Sequence, residues 1–398
     1  MKERNLLSLS YGRIKRKDIN TADGLLPESF ETYQVVEPGD IVMRLTDLQN
    51  DKRSLRQGLV QERGIVTSAY DALHVSRDDD ARFWAYALLA LDMAKYYYSL
   101  GGGVRQSIKF TDFPNDWIAK PDLDTQKAIA DFLDKETARI DQLIEKKQRL
   151  VELLGEREKS VPSDLIPSGR MVLQGLLGQS VGNDQQLERT PIKTLFRLAK
   201  RQGFQEKTIL SVYREHGVVV RNSRDDNINK VPMDVSSYQL VEPGDLVINK
   251  MKAWQGSLGI SDHEGITSPD YVVMVPTRRM QNRYINHLLR ARPMPDFYRA
   301  ISNGIRPDQW RLEVDRFLAT SIYLPSSNEQ ESIADEIDRL IASHRSLADH
   351  VQVSIDRLKE YRSALITAAV TGQIDVTRWG RTGEGNKRLD QIQEEMAG

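Results

Sequence analysis

The chain has no cysteine. That absence excludes disulfides, thiolate nucleophiles and every zinc site that needs sulfur, and it fits a cytoplasmic protein. Long apolar runs are missing too: none reaches the roughly 18 residues of a membrane span, and Met1 to Asn5 do not open a signal peptide. Neither membrane insertion nor secretion is expected. An excess of one charge is also lacking, since 56 Lys+Arg stand against 57 Asp+Glu. Any nucleic-acid binding must therefore come from local patches. There is no Walker A loop, no G-x-G-x-x-G, no H-E-x-x-H, no G-x-S-x-G, and no Asn-Pro-Pro-Tyr or Asp-Pro-Pro-Tyr of the kind adenine methyltransferases use. The six histidines are scattered, so no metal site is expected. By these absences the chain is not an enzyme by itself.

A repeat is present instead. Residues 33–42 read YQVVEPGDIV and 238–247 read YQLVEPGDLV, eight identities in ten at an offset of 205. Pro38-Gly39 and Pro243-Gly244 have the order of a type II turn, each feeding a short strand, Ile41 to Met43 and Leu246 to Ile248. Leu7-Ser8 answers Leu210-Ser211, Thr67-Ser68 answers Thr267-Ser268, and Gly103-Val104-Arg105 answers Gly304-Ile305-Arg306. Each half closes with one long amphipathic stretch. Ile129, Leu133, Ile140, Leu143, Leu150 and Leu154 keep the spacing of heptad a and d positions, as do Ile333, Ile337, Leu340, Leu347, Val351 and Leu358. A narrow apolar stripe needs a partner, and the nearest one for each helix is the other. His344, also in the stripe, reads as a register-tuning polar residue.

The fold class expected is α+β: two mixed domains of short strands and helices, separated by two long antiparallel coiled-coil helices in a pseudo-twofold repeat. The divisions are 1–124 and 190–328 for the domains, 125–166 and 329–371 for the helices, 167–189 for a linker and 372–398 for a polar tail. Within the domains, 81–100 and 283–303 read as helices. Asp124 and Asn328 are expected to cap the long helices, with Pro162 and Pro167 ending the first. The second domain carries about twenty residues, Thr190 to Ile209, ahead of its Leu-Ser pair, and the first only Met1 to Leu6. That layer of the first domain is expected upstream of the start, or from the linker or tail.

The second domain is the more basic, with 20 Lys+Arg against 14 Asp+Glu over 190–328, while 1–124 has 17 against 19. After its Pro-Gly turn come Lys250, Lys252, Trp254 and Gln255, cations for phosphates beside amide and aromatic groups for bases or sugars. Arg44, Lys52, Arg53 and Arg56 hold the matching place in the first domain. Arg306 and Gln309, on a Gly-Pro loop, match Arg105 and Gln106. These twelve are the candidate DNA-binding residues.

Two diverged domains, each closed by a helix start of the kind in Gln126-Lys127-Ala128-Ile129-Ala130 and Gln330-Glu331-Ser332-Ile333-Ala334, resemble the specificity subunit of Type I restriction-modification systems. The stretches 136–141 (ETARID), 304–310 (GIRPDQW), 358–366 (LKEYRSALI) and 371–375 (TGQID) extend the resemblance over about residues 1–376. It implies two target-recognition domains, each reading half of a bipartite, asymmetric site on double-stranded DNA. It further implies two modification subunits that carry S-adenosylmethionine and methylate adenine, and restriction subunits that use ATP and Mg. No cofactor is then expected on this chain. The other reading that the residues allow is a two-domain protein-binding scaffold without direct DNA readout.

Overall fold

The computed structural model describes residues 3, 5–10, 12–18, 30–48, 55–100, 107–113, 117–166, 172, 187–221, 234–304 and 310–376. It divides into two units, Met1–Val151 with His350–Gly398, and Glu152–Asp349. The sequence sets the long helices apart as segments of their own; the structure gives each unit one part of both.

In the first unit β1 (Leu7–Ser10) and β2 (Arg13–Arg16) form a hairpin. Strands β3 (Gln34–Val36), β4 (Ile41–Met43), β5 (Gln57–Leu59), β6 (Gly64–Val66) and β7 (Asp71–Leu73) follow; β3 pairs with β6, and β4 lies between β5 and β7, all antiparallel. Helices α1 (Ala81–Met93) and α2 (Tyr96–Leu100) replace the single helix expected over 81–100. Lys95 stands between them at φ +63°, a left-handed conformation that cannot propagate a helix. The long helix α3 (Leu123–Leu165) comes next.

The second unit repeats the plan with an added layer. It contains β8 (Glu188–Pro191), β9 (Phe196–Ala199), β10 (Leu210–Tyr213), β11 (Gly217–Val220), β12 (Gln239–Val241), β13 (Leu246–Asn249), β14 (Leu258–Ile260), β15 (Gly265–Thr267) and β16 (Tyr271–Pro276). Helices α4 (Asn282–Arg290) and α5 (Met294–Ala300) come next, then β17 (Ser302–Asn303), β18 (Arg311–Leu312), α6 (Val314–Ala319), β19 (Ser321–Leu324) and the long α7 (Ser327–Val370). The hairpin β10-β11, the pair β12-β15 and the order β14-β13-β16 reproduce their counterparts, but β9 adds a fourth strand on β16, and β8 pairs with β19. The helix expected over 283–303 is divided at Ala291, whose extended ψ ends α4, and Pro293 caps α5, where its missing N–H costs nothing.

Local chemistry fixes both copies alike. In each Pro-Gly turn the glycine has positive φ, +95° at Gly39 and +96° at Gly244, and the following aspartate N–H closes the turn on the Glu37 or Glu242 carbonyl at 3.0 Å. Gly64 and Gly265 serve a close crossing: a Cβ there would meet the Asn5 or Thr208 carbonyl oxygen at 2.6 or 2.4 Å. Since neither backbone can yield without parting its strands, Gly265→Ala should lower stability by about 2–3 kcal/mol in urea unfolding. A loss below about half a kcal/mol would show that the crossing is loose.

The caps lie two residues before those expected. Asp122 Oδ1 accepts from the Thr125 N–H at 2.9 Å, and Ser326 and Glu329 form a reciprocal box in which the Ser326 N–H donates to Glu329 at 3.0 Å. Pro162 does not end α3, which runs on to Leu165. In the first unit Ile129, Leu133 and Ile140 pack against Leu358, Leu365 and Ile366, with Leu143 at the margin, and Arg362 Nε is 2.8 Å from Asp141. In the second, Val161 shares a core with Ala334 and Ile337, flanked by Ile333 and Leu340, and Arg345 pairs with Glu158 at 2.6 Å. The helices are thus antiparallel in each unit. Val351 is buried and Leu154 half-buried, but Leu150 and Leu347 are 40% and 47% exposed. Their neighbours Val151 and Ala348 are half-buried, as expected where 3.6 residues per turn drift away from a strict heptad.

One clamp seats each domain on its helix. Arg82 bridges Asp131 and Asp134, at 2.7 and 3.0 Å; Arg283 bridges Asp335 and Asp338, at 2.6 and 2.8 Å. Beside them the Tyr86 hydroxyl donates to Asp134 at 2.9 Å, and His287 Nε2 lies 2.8 Å from Asp338. Burial pushes the Tyr86 phenol up to about 12, and burial, outweighing Asp338, holds the His287 imidazole below its ordinary value. The unfolded chain therefore protonates His287 first, and stability present above pH about 6.5 is lost as pH falls through the folded value. The variant His287→Tyr, which borrows the first unit's residue, should lose less in melting temperature than the wild type between about pH 7 and 5. Equal losses would show that His287 does not govern this range.

Candidate nucleic-acid interface

The site starts from strand β13, whose four residues are all buried and hold the loop that follows. Asn249 Oδ1 accepts from the Met251 N–H at 3.2 Å, and the Asn249 N–H donates to the Ser257 carbonyl at 3.1 Å. Residues 253–255 make one 3-10 turn, closed by Gly256 at φ +92°. The Lys250 carbonyl accepts from the Leu312 N–H at 3.1 Å, which ties this loop to the hairpin β17-β18.

Around that tie the basic and aromatic side chains gather. The Trp254 ring meets Trp310 edge to face at 5.7 Å, and the Arg299 guanidinium lies over Trp310 at 5.2 Å. Arg311 Nε is 3.1 Å from the Met251 sulfur. Lys252, Arg299 and Arg311 are exposed; Lys250, Trp254, Gln255 and Trp310 are half-buried. The Trp254 indole N–H already donates to the Met251 carbonyl at 3.1 Å, so this residue offers ring surface rather than a hydrogen bond. Such a surface can hold phosphates by its cations and a sugar or base face by its rings.

In the first unit the same tie joins the Leu45 carbonyl to the Ile108 N–H at 3.0 Å, and Arg44 is exposed. Arg56 is not on that surface. It is 6% exposed, and its guanidinium donates to the carbonyls of Arg44, Thr46 and Asp47 at 3.2, 2.5 and 2.8 Å. It braces the loop from within, where buried carbonyls need a donor. Lys52, Arg53, Arg105, Gln106, Arg306 and Gln309 lie outside the described residues. The sequence does not single out Arg299, Trp310 and Arg311 as binding candidates, because they join the loop only through pairing of β17 with β18 and through ring contact. Their signal was the ending of the 304–310 run in tryptophan followed by arginine.

Among the described residues no three His, Asp or Glu side chains gather as a metal site, and no helix is long and apolar enough to cross a membrane. No protein-family model matches the chain, and no curated protein matches it by sequence. Solved structures do match. One is the HsdS subunit from Thermoanaerobacter tengcongensis, 13% identical, covering 87% of this chain and 84% of that one at a TM-score of 0.50. Another, from a study of complex assembly and conformational transition of the type I R-M system, is 14% identical, covering 86% and 84% at 0.56. The fold is that of the HsdS specificity subunits. Within the HsdS fold this chain has two mixed domains and two long helices, with the basic aromatic surface built on the loop after β13.

Proposed function

We propose that the chain is the DNA-recognition subunit of a Type I restriction-modification system. It is non-catalytic and reads a bipartite, asymmetric site on double-stranded DNA, one half through each domain. It also carries two modification subunits, which bind S-adenosylmethionine and methylate adenine, and restriction subunits that use ATP and Mg. The observation that carries this reading is the duplication itself: the same strand plan, clamp and loop tie occur twice, each on its own part of α3 and α7. Two equivalent readers on long helices suit two half-sites separated by an unread gap.

The test is salt-dependent binding of duplex DNA by the assembled complex, with methylated adenines mapped by sequencing. Lys252→Ala and Arg311→Ala should weaken all sequences alike and flatten the salt slope by about one counterion each. Arg306→Ala should instead relax one base position, at about 1–3 kcal/mol. Binding that ignores salt would overturn DNA readout and favour the protein-scaffold reading.

A further inference from the structure

Among the described residues, two that are not glycine have positive φ, Asp47 at +57° and Lys95 at +63°, and one chain of contacts in the first unit joins them. The Asp47 carbonyl accepts from the Arg56 guanidinium at 2.8 Å, that guanidinium lies 5.7 Å from the centre of the Tyr98 ring, and the Lys95 ammonium stands over the same ring at 4.4 Å. A left-handed backbone strains a lysine where it would not strain a glycine, and such strain gathers at functional sites. The junction of α1 with α2 does not itself call for a lysine. The Lys95 N–H donates to the Asp92 carbonyl at 2.9 Å and the Lys95 carbonyl accepts from the Tyr98 N–H at 3.1 Å, bonds that a glycine would make as well. What the lysine adds is an exposed cation held on a ring.

The second unit shows where this patch lies in the repeat. Tyr97 and Tyr298 are equivalent: each is fully buried and donates its hydroxyl to the carbonyl nine residues earlier, Leu88 at 3.2 Å and Leu289 at 2.6 Å. The residue that follows is Tyr98 in the first unit and Arg299 in the second. Arg299 is the cation over Trp310, whose ring meets Trp254 on the loop after β13; Tyr98 is a ring, and its cation Arg56 holds the loop after β4 through three carbonyls. Ring and cation have exchanged elements at one place in the fold, beside the tie of Leu45 to Ile108. Tyr98 differs from Trp254 in one respect. The Trp254 N–H is taken up by Met251, whereas the Tyr98 hydroxyl accepts from Arg56 Nε at 3.4 Å and its own proton has no acceptor among the described residues.

Resting on the DNA readout proposed above, we infer that Lys95 and Tyr98 are DNA contacts of the first domain: Lys95 pairs with a phosphate, and the Tyr98 hydroxyl donates to an acceptor on a base edge. A compact ammonium suits a phosphate, and a hydroxyl on a fixed ring suits a nitrogen or carbonyl acceptor of a base. Neither residue stands out in the sequence, since Lys95 follows an apolar helix and Tyr98 is the last of three tyrosines.

The test uses the assembled complex and three duplexes: the site mapped from methylated adenines, and the same site with either half scrambled. Tyr98→Phe keeps the ring and both cations but removes the hydroxyl. It should bind the intact site at least about fivefold more weakly, lose the same factor in discrimination against one scrambled half, and keep its discrimination against the other. Lys95→Gly should melt no lower than the wild type, because glycine takes positive φ without strain, and yet weaken all sequences alike, with a salt slope flatter by about one counterion. Lower melting of both variants with unchanged DNA binding would make the pair structural and overturn the proposal. If both variants bind as the wild type does while Lys252→Ala weakens binding, the proposal is overturned and the DNA readout stands. If wild-type binding ignores salt, the DNA readout itself falls, and this proposal with it.

Discussion

For a reader of two half-sites, as proposed above, lengthening both long helices by seven residues should widen the unread gap between them by about three base pairs. Seven residues add roughly 10 Å of helix at about 1.5 Å each, against roughly 3.4 Å per base pair of duplex. The ion pairs say where the residues must go. From Asp141 to Glu158 is 17 residues along α3, and from Arg362 back to Arg345 is 17 along α7. An insertion between Asp141 and Glu158 therefore needs its match between Arg345 and Arg362. Seven residues turn a helix by about 700°, within about 20° of two full turns, so Leu133, Ile140, Ile337 and Leu358 keep their faces. A seven-residue insertion in α3 alone leaves the two steps unequal, so one ion pair and the seam beside it must part. That variant should melt lower and fail to assemble. Methylated adenines mapped for both variants decide the matter, and an unchanged gap in a folded, active matched variant would remove the spacer role.

Local rules made much of this legible. The Pro-Gly turns, strands Ile41–Met43 and Leu246–Asn249 and the two long helices follow from turn chemistry and periodicity, which depend on neighbours in sequence. Leu150 and Leu347 went astray because apolar residues lie on both sides of the seam, and spacing does not say which of Leu150 and Val151 turns inward. Arg56 was invisible as a brace for a different reason: its carbonyl partners, Arg44, Thr46 and Asp47, are gathered by a fold in the loop. The pairing of Trp254 with Trp310 likewise depends on contact between residues far apart in sequence. Charge counting picked out the second domain but had no means of placing Arg299 beside Trp310.

On the function proposed above, exchanging the second domain for that of a specificity subunit should change one half-site completely and leave the other untouched. The domain is fastened to the helices at a few points: Arg283 and His287 on Asp335 and Asp338, the Arg292 N–H on Ser163 Oγ at 2.8 Å, and a shared core with Val161, Ala334 and Ile337. A graft of residues 187–326 that keeps a cation at the place of Arg283 should seat; one that leaves Asp335 and Asp338 without a cation should melt lower. The first unit's candidate surface, with Arg44 beside the Leu45–Ile108 tie, uses none of these fastenings. Each mismatched base pair costs about 1–3 kcal/mol, so a half-site of a few base pairs amounts to a preference of roughly a thousandfold or more. The old site should go unmethylated by the chimera, and a hybrid site with one inherited half should be modified instead. If both halves change together, the domains do not read independently, and the duplication in the chain has another purpose.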